Sequence, residues 1–281
     1  MNARKILLTL LVSVLLSSCA SRSYYQVYKA TPTDKLVLKD GLLVYEDGSC
    51  MVSYDFWGDG GDIGFLFFNK TDKNIYLNLE ESFFILNGVT YNYFRNRVFT
   101  TSTNSGAITT RAASASKSVT GINYNDLLQT NRLSVTNSLG LMASSSFSVS
   151  YNEEKIICVP SKTSKRISEY IINESLFRDC DLLRYPKPSQ IKTKTFSKEQ
   201  SPFVFSNRIT YTIGQNENLM KFENEFYVTE ISNYPENELF DFEYEKYCDE
   251  KSTYMTGFFK QDSADKFYIK YSKDLFDEWE H

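Results

Sequence analysis

The sequence predicts a mainly β protein, an antiparallel β-sandwich, and three observations carry that prediction. First, Asp40-Gly41, Asp47-Gly48 and Asn87-Gly88 each stand between apolar runs. Such pairs are strong short-range hairpin signals, because both residues accept the positive φ that a tight turn requires. Second, Val52, Tyr54 and Phe56 alternate with other residues, as do Ile75, Leu77 and Leu79, so each set shares one face of an extended chain. A helix would need a 3.6-residue apolar period, which this stretch lacks. Third, the chain holds 21 Phe and 20 Tyr against 6 Pro, a composition that fits a pleated, half-buried surface.

The elements follow in order. Met1-Asn2-Ala3-Arg4-Lys5 is a short basic start, Ile6 to Leu16 is an apolar run, and Leu16-Ser17-Ser18-Cys19 closes it. Charge, apolar core and small residues in that order mark an export signal over 1–18. Eleven apolar residues are too few to span a bilayer, which takes about 20. The four residues Leu16 to Cys19 resemble the lipobox of bacterial lipoproteins. That resemblance implies that Cys19 becomes the first mature residue and carries a diacylglyceryl thioether and an N-acyl chain. Ordinary secretion with cleavage after Ala20 is the alternative. Several buried acyl chains, at about 0.8 kcal/mol per CH₂, anchor a protein where one chain holds it only marginally. The family also implies a place in the cell envelope. Acidic residues after the Cys can direct such proteins to the surface, and Ala20-Ser21-Arg22-Ser23 has none. The expectation is therefore the outer membrane, on its periplasmic side.

Residues 19–35 read as a tether rising from the membrane and ending near Pro32, with the sandwich ectodomain over 36–281. Strands are expected at Leu36–Leu38, Leu42–Tyr45, Cys50–Phe56, Ile63–Phe68, Asn74–Leu79, Phe83–Leu86 and Val89–Phe94. Their spacing of about 8–12 residues is that of a sandwich or barrel. From Thr100 to Thr120, eleven residues are Ser or Thr. A segment so poor in large apolar groups cannot offset its ordering entropy, so a mobile loop is expected near 100–121. Further strands are expected at Ser146–Tyr151, Glu154–Val159, Arg166–Ile172, Phe203–Phe205, Arg208–Ile213 and Phe226–Ile231. Asn173 stands as an N-cap before Leu176, Phe177, Cys180 and Leu183 at helical spacing, and Tyr185-Pro186-Lys187-Pro188 would stop that helix. Met255–Phe259 and Lys266–Tyr271 read as a last hairpin, followed by a short helix capped by Ser272. The run Ile63 to Tyr76, a strand ending in the polar turn Asn69-Lys70-Thr71-Asp72-Lys73 before the next strand, resembles immunoglobulin-like sandwich lipoproteins of unassigned function.

Candidate chemistry is sparse. The only His is His281 at the end of the sequence. That argues against Ser-His-Asp and Cys-His catalysis and against His-ligated zinc. No phosphate loop or dinucleotide fingerprint occurs either. The sequence therefore points to a non-enzymatic binding or scaffolding module, with an envelope protein or a glycan as partner and the membrane engaged through the lipid. A formal net charge of −4 gives no case for nucleic acid. The alternative is a carboxylate- or Ca²⁺-dependent hydrolase acting on glycans, which needs two opposed carboxyls about 5–10 Å apart. Glu80-Glu81, Glu153-Glu154 and Asp277-Glu278 are sequence neighbours, which point to opposite faces of a strand.

Asp55, Asp59 and Asp62, on the Gly-rich run Asp55-Phe56-Trp57-Gly58-Asp59-Gly60-Gly61-Asp62, are the candidate Ca²⁺ ligands. The alternative is a turn whose Asp and Gly serve backbone geometry. Trp57 is a candidate ligand platform or a partly buried core residue. Cys50, Cys158, Cys180 and Cys248 have no zinc-like spacing. They allow three disulfide pairings, or serve as small apolar side chains. Five basic residues against Asp126 alone occupy Arg95 to Ser150, and eleven acidic residues against two Lys occupy Glu217 to Glu250. Solvated surface is the ordinary reading of such runs, and a basic loop on anionic lipid or glycan the functional one.

Overall fold

The computed structural model describes residues 23–33, 36–105, 145–214, 218–248 and 250–273. Cys19, most of the Ser/Thr-rich stretch and the proposed C-terminal helix lie outside the described residues. The chain divides into two compact units, one built from residues up to Tyr93 together with those from Ile156 onward, the other from Phe94–Lys155.

The larger unit is a sandwich of two antiparallel sheets. Its first sheet contains β1 (Ser23–Pro32), β6 (Ile75–Leu86), β7 (Val89–Asn92), β10 (Ile156–Val159), β12 (Thr193–Thr195), β13 (Val204–Ile213), β14 (Met220–Pro235) and β17 (Lys266–Ser272). The order is β10-β6-β13-β14-β1-β17, with β7 beside β6 and β12 beside β14. The second sheet runs β11-β5-β4-β3-β2, from β2 (Val37–Lys39), β3 (Leu42–Glu46), β4 (Cys50–Tyr54), β5 (Phe65–Asn69) and β11 (Ser164–Ile167). Two of the three expected turns take positive φ, Asp40-Gly41 and Asn87-Gly88, between 48° and 80°. Asp47-Gly48 does not, and turns instead through Asp47 Oδ1, which accepts from Ser49 N and Cys50 N at 2.7 Å.

Aromatic rings join the sheets. Tyr54 of the second sheet and Phe56, just past the end of β4, meet Phe226 at centroid distances of 5.3 and 4.9 Å, and Phe67 meets Tyr211 at 5.9 Å. Fully burying one such ring is worth about 1.5–3 kcal/mol. The polar tips are satisfied inside: Tyr54 Oη accepts from Asn224 Nδ2 at 2.8 Å, and Tyr93 Oη donates to Asn207 Oδ1 at 2.7 Å.

Several expectations are corrected, among them the separate strands at Phe203–Phe205 and Arg208–Ile213, which form the one strand β13. Residues 23–32 are no tether. They form β1, hydrogen-bonded to β14 on one side and β17 on the other, with Tyr28 and Ala30 fully buried. The strands expected at Asn74–Leu79 and Phe83–Leu86 are one continuous β6. The register against β13 slips between Arg208 and Thr210. There Ser82 Oγ donates to Asn78 O at 2.6 Å and accepts from Thr210 N at 3.1 Å, which plugs the irregular step. The Asn173–Leu183 helix does not form. Asn173 Oδ1 accepts from Ser175 N at 3.0 Å, and the N–H and C=O of Phe177 bond to the buried Gln26 amide at 2.7 and 2.9 Å. Those backbone groups are thereby taken from any i→i−4 ladder. Finally, Lys266–Tyr271 pairs with β1, while Met255–Phe259 belongs to a ribbon of β15 (Phe240–Tyr247) and β16 (Glu250–Phe259). A four-residue helix α1 (Glu236–Leu239) leads into β15, and 3-10 turns occupy 188–190 and 198–200.

The smaller unit is a hairpin of β8 (Val98–Ser105) and β9 (Ser145–Asn152). The start of the Ser/Thr-rich stretch is therefore strand rather than loop. Glu153 closes the base of this hairpin: Oε2 accepts from Arg95 N at 2.8 Å and Arg97 N at 3.1 Å, and Oε1 from Arg97 Nε at 3.1 Å.

Candidate functional site

The Asp55–Asp62 run folds as a strap along the outer edge of β17. Gly60 N donates to Tyr268 O at 2.8 Å, and Tyr268 N donates to Gly58 O at 3.1 Å. The strap closes an edge that would otherwise expose unpaired backbone groups. Close approach explains two glycines. A Cβ on Gly60 would lie 2.9 Å from Ile171 Cδ1, and one on Gly61 would lie 2.8 Å from Phe267 Cγ. Both glycines also have positive φ, near 78°.

The three carboxylates of the strap are spent on separate tasks. Asp55 Oδ1 accepts from Trp57 N at 3.1 Å, and Asp59 Oδ1 accepts from Lys270 N at 3.2 Å, extending the edge bonds by one step. Asp62 Oδ1 accepts from Gly64 N at 2.7 Å and Ser168 Oγ at 3.0 Å, while Oδ2 pairs with Arg166 at 3.0 Å. The structure does not gather them. Among the described residues, no cluster of three or more Asp, Glu, His or Cys side chains is positioned to hold a metal ion.

Trp57 is brought to an aromatic hub. Its ring lies edge-on to Phe259 at 4.8 Å and packs on Tyr268 at 5.2 Å. Tyr25 of β1 joins from the other side, with Phe240 at 5.5 Å, Phe259 at 5.9 Å and Tyr268 at 5.4 Å. Tyr25, Val27 and Leu239 form the buried floor of the hub. Lys270 Nζ sits 5.5 Å over the Tyr25 ring and 3.8 Å from Glu236. Its hydrogen bond to Tyr25 and the Glu236 charge raise the Lys270 pKa. Burial, followed by the Asp59 charge, raises that of Tyr268. Trp57 is only half-buried, so the hub is packed core on one side and open on the other.

The β15–β16 ribbon leaves the fold from this hub. Cross-strand pairing places Phe240, Phe242 and Tyr244 opposite Phe259, Gly257 and Met255, on one face. The Phe242 ring lies over Gly257, where a Cβ would be 3.1 Å from its Cε1. Asp241 and Glu243 take the other face, joined by Glu245, whose carboxylate accepts from Thr256 Oγ1 at 3.0 Å. Phe242 is 56% exposed, Tyr244 46% and Met255 52%. A signal for this ribbon lay in the sequence, in the strict alternation Phe240-Asp241-Phe242-Glu243-Tyr244-Glu245 within the acidic run.

The four cysteines among the described residues, Cys50, Cys158, Cys180 and Cys248, are free thiols. Cys50 is buried, and burial together with the Asp47 charge pushes its thiol pKa far up, while Cys158, Cys180 and Cys248 are exposed. Compared with known proteins, the chain matches no family model, no curated protein and no solved structure. No described helix is long and apolar enough to cross a membrane.

Proposed function

We propose that this chain is a lipid-anchored protein of the bacterial cell envelope, held through Cys19 at the outer membrane on its periplasmic side, whose β-sandwich binds or scaffolds a partner without catalysing a reaction. The observation that carries this reading is the run Leu16-Ser17-Ser18-Cys19 behind a basic start and an apolar core. That architecture is what export and acylation machinery reads. The resemblance of residues 63–76 to immunoglobulin-like sandwich lipoproteins supports the same class. The exposed aromatic ribbon supports a binding role, because apolar surface left in water commonly marks an interaction site. An acylated Cys19 leaves Ala20-Ser21-Arg22 before β1, so the sheet itself, with no long linker, sits beside the lipid.

Metabolic labelling with an alkyne palmitate analogue tests the anchor. The wild type should carry label and fractionate with membranes, and Cys19→Ala should lose the label and leave the membrane fraction. Equal labelling of both proteins, or an unlabelled wild type, would overturn the proposal.

A further inference from the structure

Among the described residues, nothing packs on the β15–β16 ribbon in a way that explains its exposed outer half. A two-stranded ribbon alone is marginal in water, and here the aromatic face continues outward past the hub into solvent. We propose that this face, Phe242, Tyr244 and Met255, rests in the headgroup layer of the lipid surface that holds Cys19; the proposal builds on the anchored reading above.

Chain length fixes the occupant. From Cys19 to Ser23 is four residues, which span at most about 14 Å when fully extended. The ribbon root lies at the same end of the sheet: Tyr25 packs directly on Phe240 and Phe259, and the pairs Tyr24–Pro235 and Ser23–Ser272 place the start of β1 beside the exit to α1 and the end of β17. Acylation thus delivers the root to the membrane, whereas a protein partner would have to reach it there. The chemistry agrees. Tyr and Phe with a wet edge suit the boundary between headgroups and acyl chains. A surface with its charges gathered on one face sinks the other about 5–10 Å into it. The opposite face carries Asp241, Glu243 and Glu245, with Phe258 across from Asp241. Across one ribbon thickness those charges stay within about a Debye length of the surface, so the preferred lipid is zwitterionic rather than anionic.

The test makes tethering independent of cellular acylation. The mature chain, residues 19–281, with Cys158, Cys180 and Cys248 changed to Ser, is coupled through Cys19 to a maleimide phospholipid in phosphatidylcholine vesicles. Met255→Trp and Glu243→Trp variants are then compared for quenching by brominated acyl chains, after subtraction of the parent protein, which keeps Trp57 and Trp279. At least twofold stronger quenching is expected at residue 255 than at 243, weakened when half of the lipid is phosphatidylglycerol. Equal quenching at the two positions would overturn the inference. So would an unquenched residue 255 in protein whose mass on the vesicle is that of a dimer, because the face would then be covered by a second copy. Failure of the anchored reading would instead appear as an unmodified Cys19 in cells, with the vesicle result unchanged.

Discussion

Asn69→Ala should cost more stability than any surface change on the sandwich. Asn69 ends β5 and is fully buried. Its Nδ2 donates to Lys73 O at 2.7 Å, Val159 O at 3.0 Å and Pro160 O at 3.1 Å. Its Oδ1 accepts from Thr71 N at 2.9 Å and Thr71 Oγ1 at 2.8 Å. One amide therefore closes the Asn69–Lys73 turn and ties it to the end of β10 in the other sheet. Two N–H protons serve three carbonyls, so the site amounts to about four full hydrogen bonds. Each is worth about 1 kcal/mol net, and a carbonyl orphaned in the dry interior costs about 1–3 kcal/mol. Part of the turn remains open to water and recovers its bonds there. The sum is about 3–4 kcal/mol, a large share of a typical total stability of about 5–15 kcal/mol. Asn69→Asp is the sharper control. It preserves the Oδ1 acceptor for both Thr71 donors but turns a carboxylate towards the Val159 and Pro160 carbonyls, so it should be at least as damaging as Ala. Equilibrium urea unfolding of the mature chain, followed by both tryptophan fluorescence and far-ultraviolet circular dichroism, measures the change where the two transitions coincide. An Ala variant within about 1 kcal/mol of wild type, or an Asp variant as stable as wild type, would refute the reasoning.

Three further outcomes follow from the same geometry. Gly61→Ala forces a Cβ to 2.8 Å from Phe267 at a φ of +77°, so unfolding by the same assay should show a loss of about 1–3 kcal/mol. Glu153 is the pH-sensitive group of the β8–β9 hairpin. Burial alone would raise its pKa, but the Arg97 side chain and the Arg97 and Arg95 N–H groups outweigh burial and hold it below the usual carboxylate range. A depressed folded-state pKa stabilises above the unfolded value and is lost as pH falls through the folded one. Amide hydrogen exchange at the hairpin base should therefore accelerate as pH drops below about 4.5, relative to intrinsic rates, and this step should vanish in Glu153→Gln. For the thiols, iodoacetamide on the native protein should alkylate Cys158, Cys180 and Cys248 and spare Cys50, which reacts only after denaturation.

Much of the sandwich was legible because its turns are written in residues with few alternatives. Asp40-Gly41 and Asn87-Gly88 take positive φ that other pairs resist, and each stands where its hairpin reverses. Alternation placed Val52, Tyr54, Ile75 and Leu77 in the core, where they are fully buried. β1 escaped notice for a physical reason: it is covered on both faces. Tyr25 and Val27 meet the hub, whereas Gln26 and Tyr28 meet the 173–177 segment, so no polar and apolar alternation survives to mark it. The Asn173–Leu183 segment misled because helical spacing is a local signal, and the buried Gln26 amide that captures its backbone lies about 150 positions away in sequence. The same distance hid the hub, since Trp57 meets Phe259 and Tyr268 only after the sheet has closed. Met255–Phe259 reads as a strand from sequence, whereas its partner β15 is hidden within the acidic run, although the aromatic residues between its acids make the alternation plain.

The anchor carries the functional account, and the mass of the N-terminal tryptic peptide from protein purified out of membranes tests it most directly. The account predicts a peptide that begins at Cys19 with a diacylglyceryl thioether and an amide-linked acyl chain. A peptide beginning at Ser21 with an unmodified amino group, or one that runs through an intact 1–18 segment with a free thiol at Cys19, would contradict it.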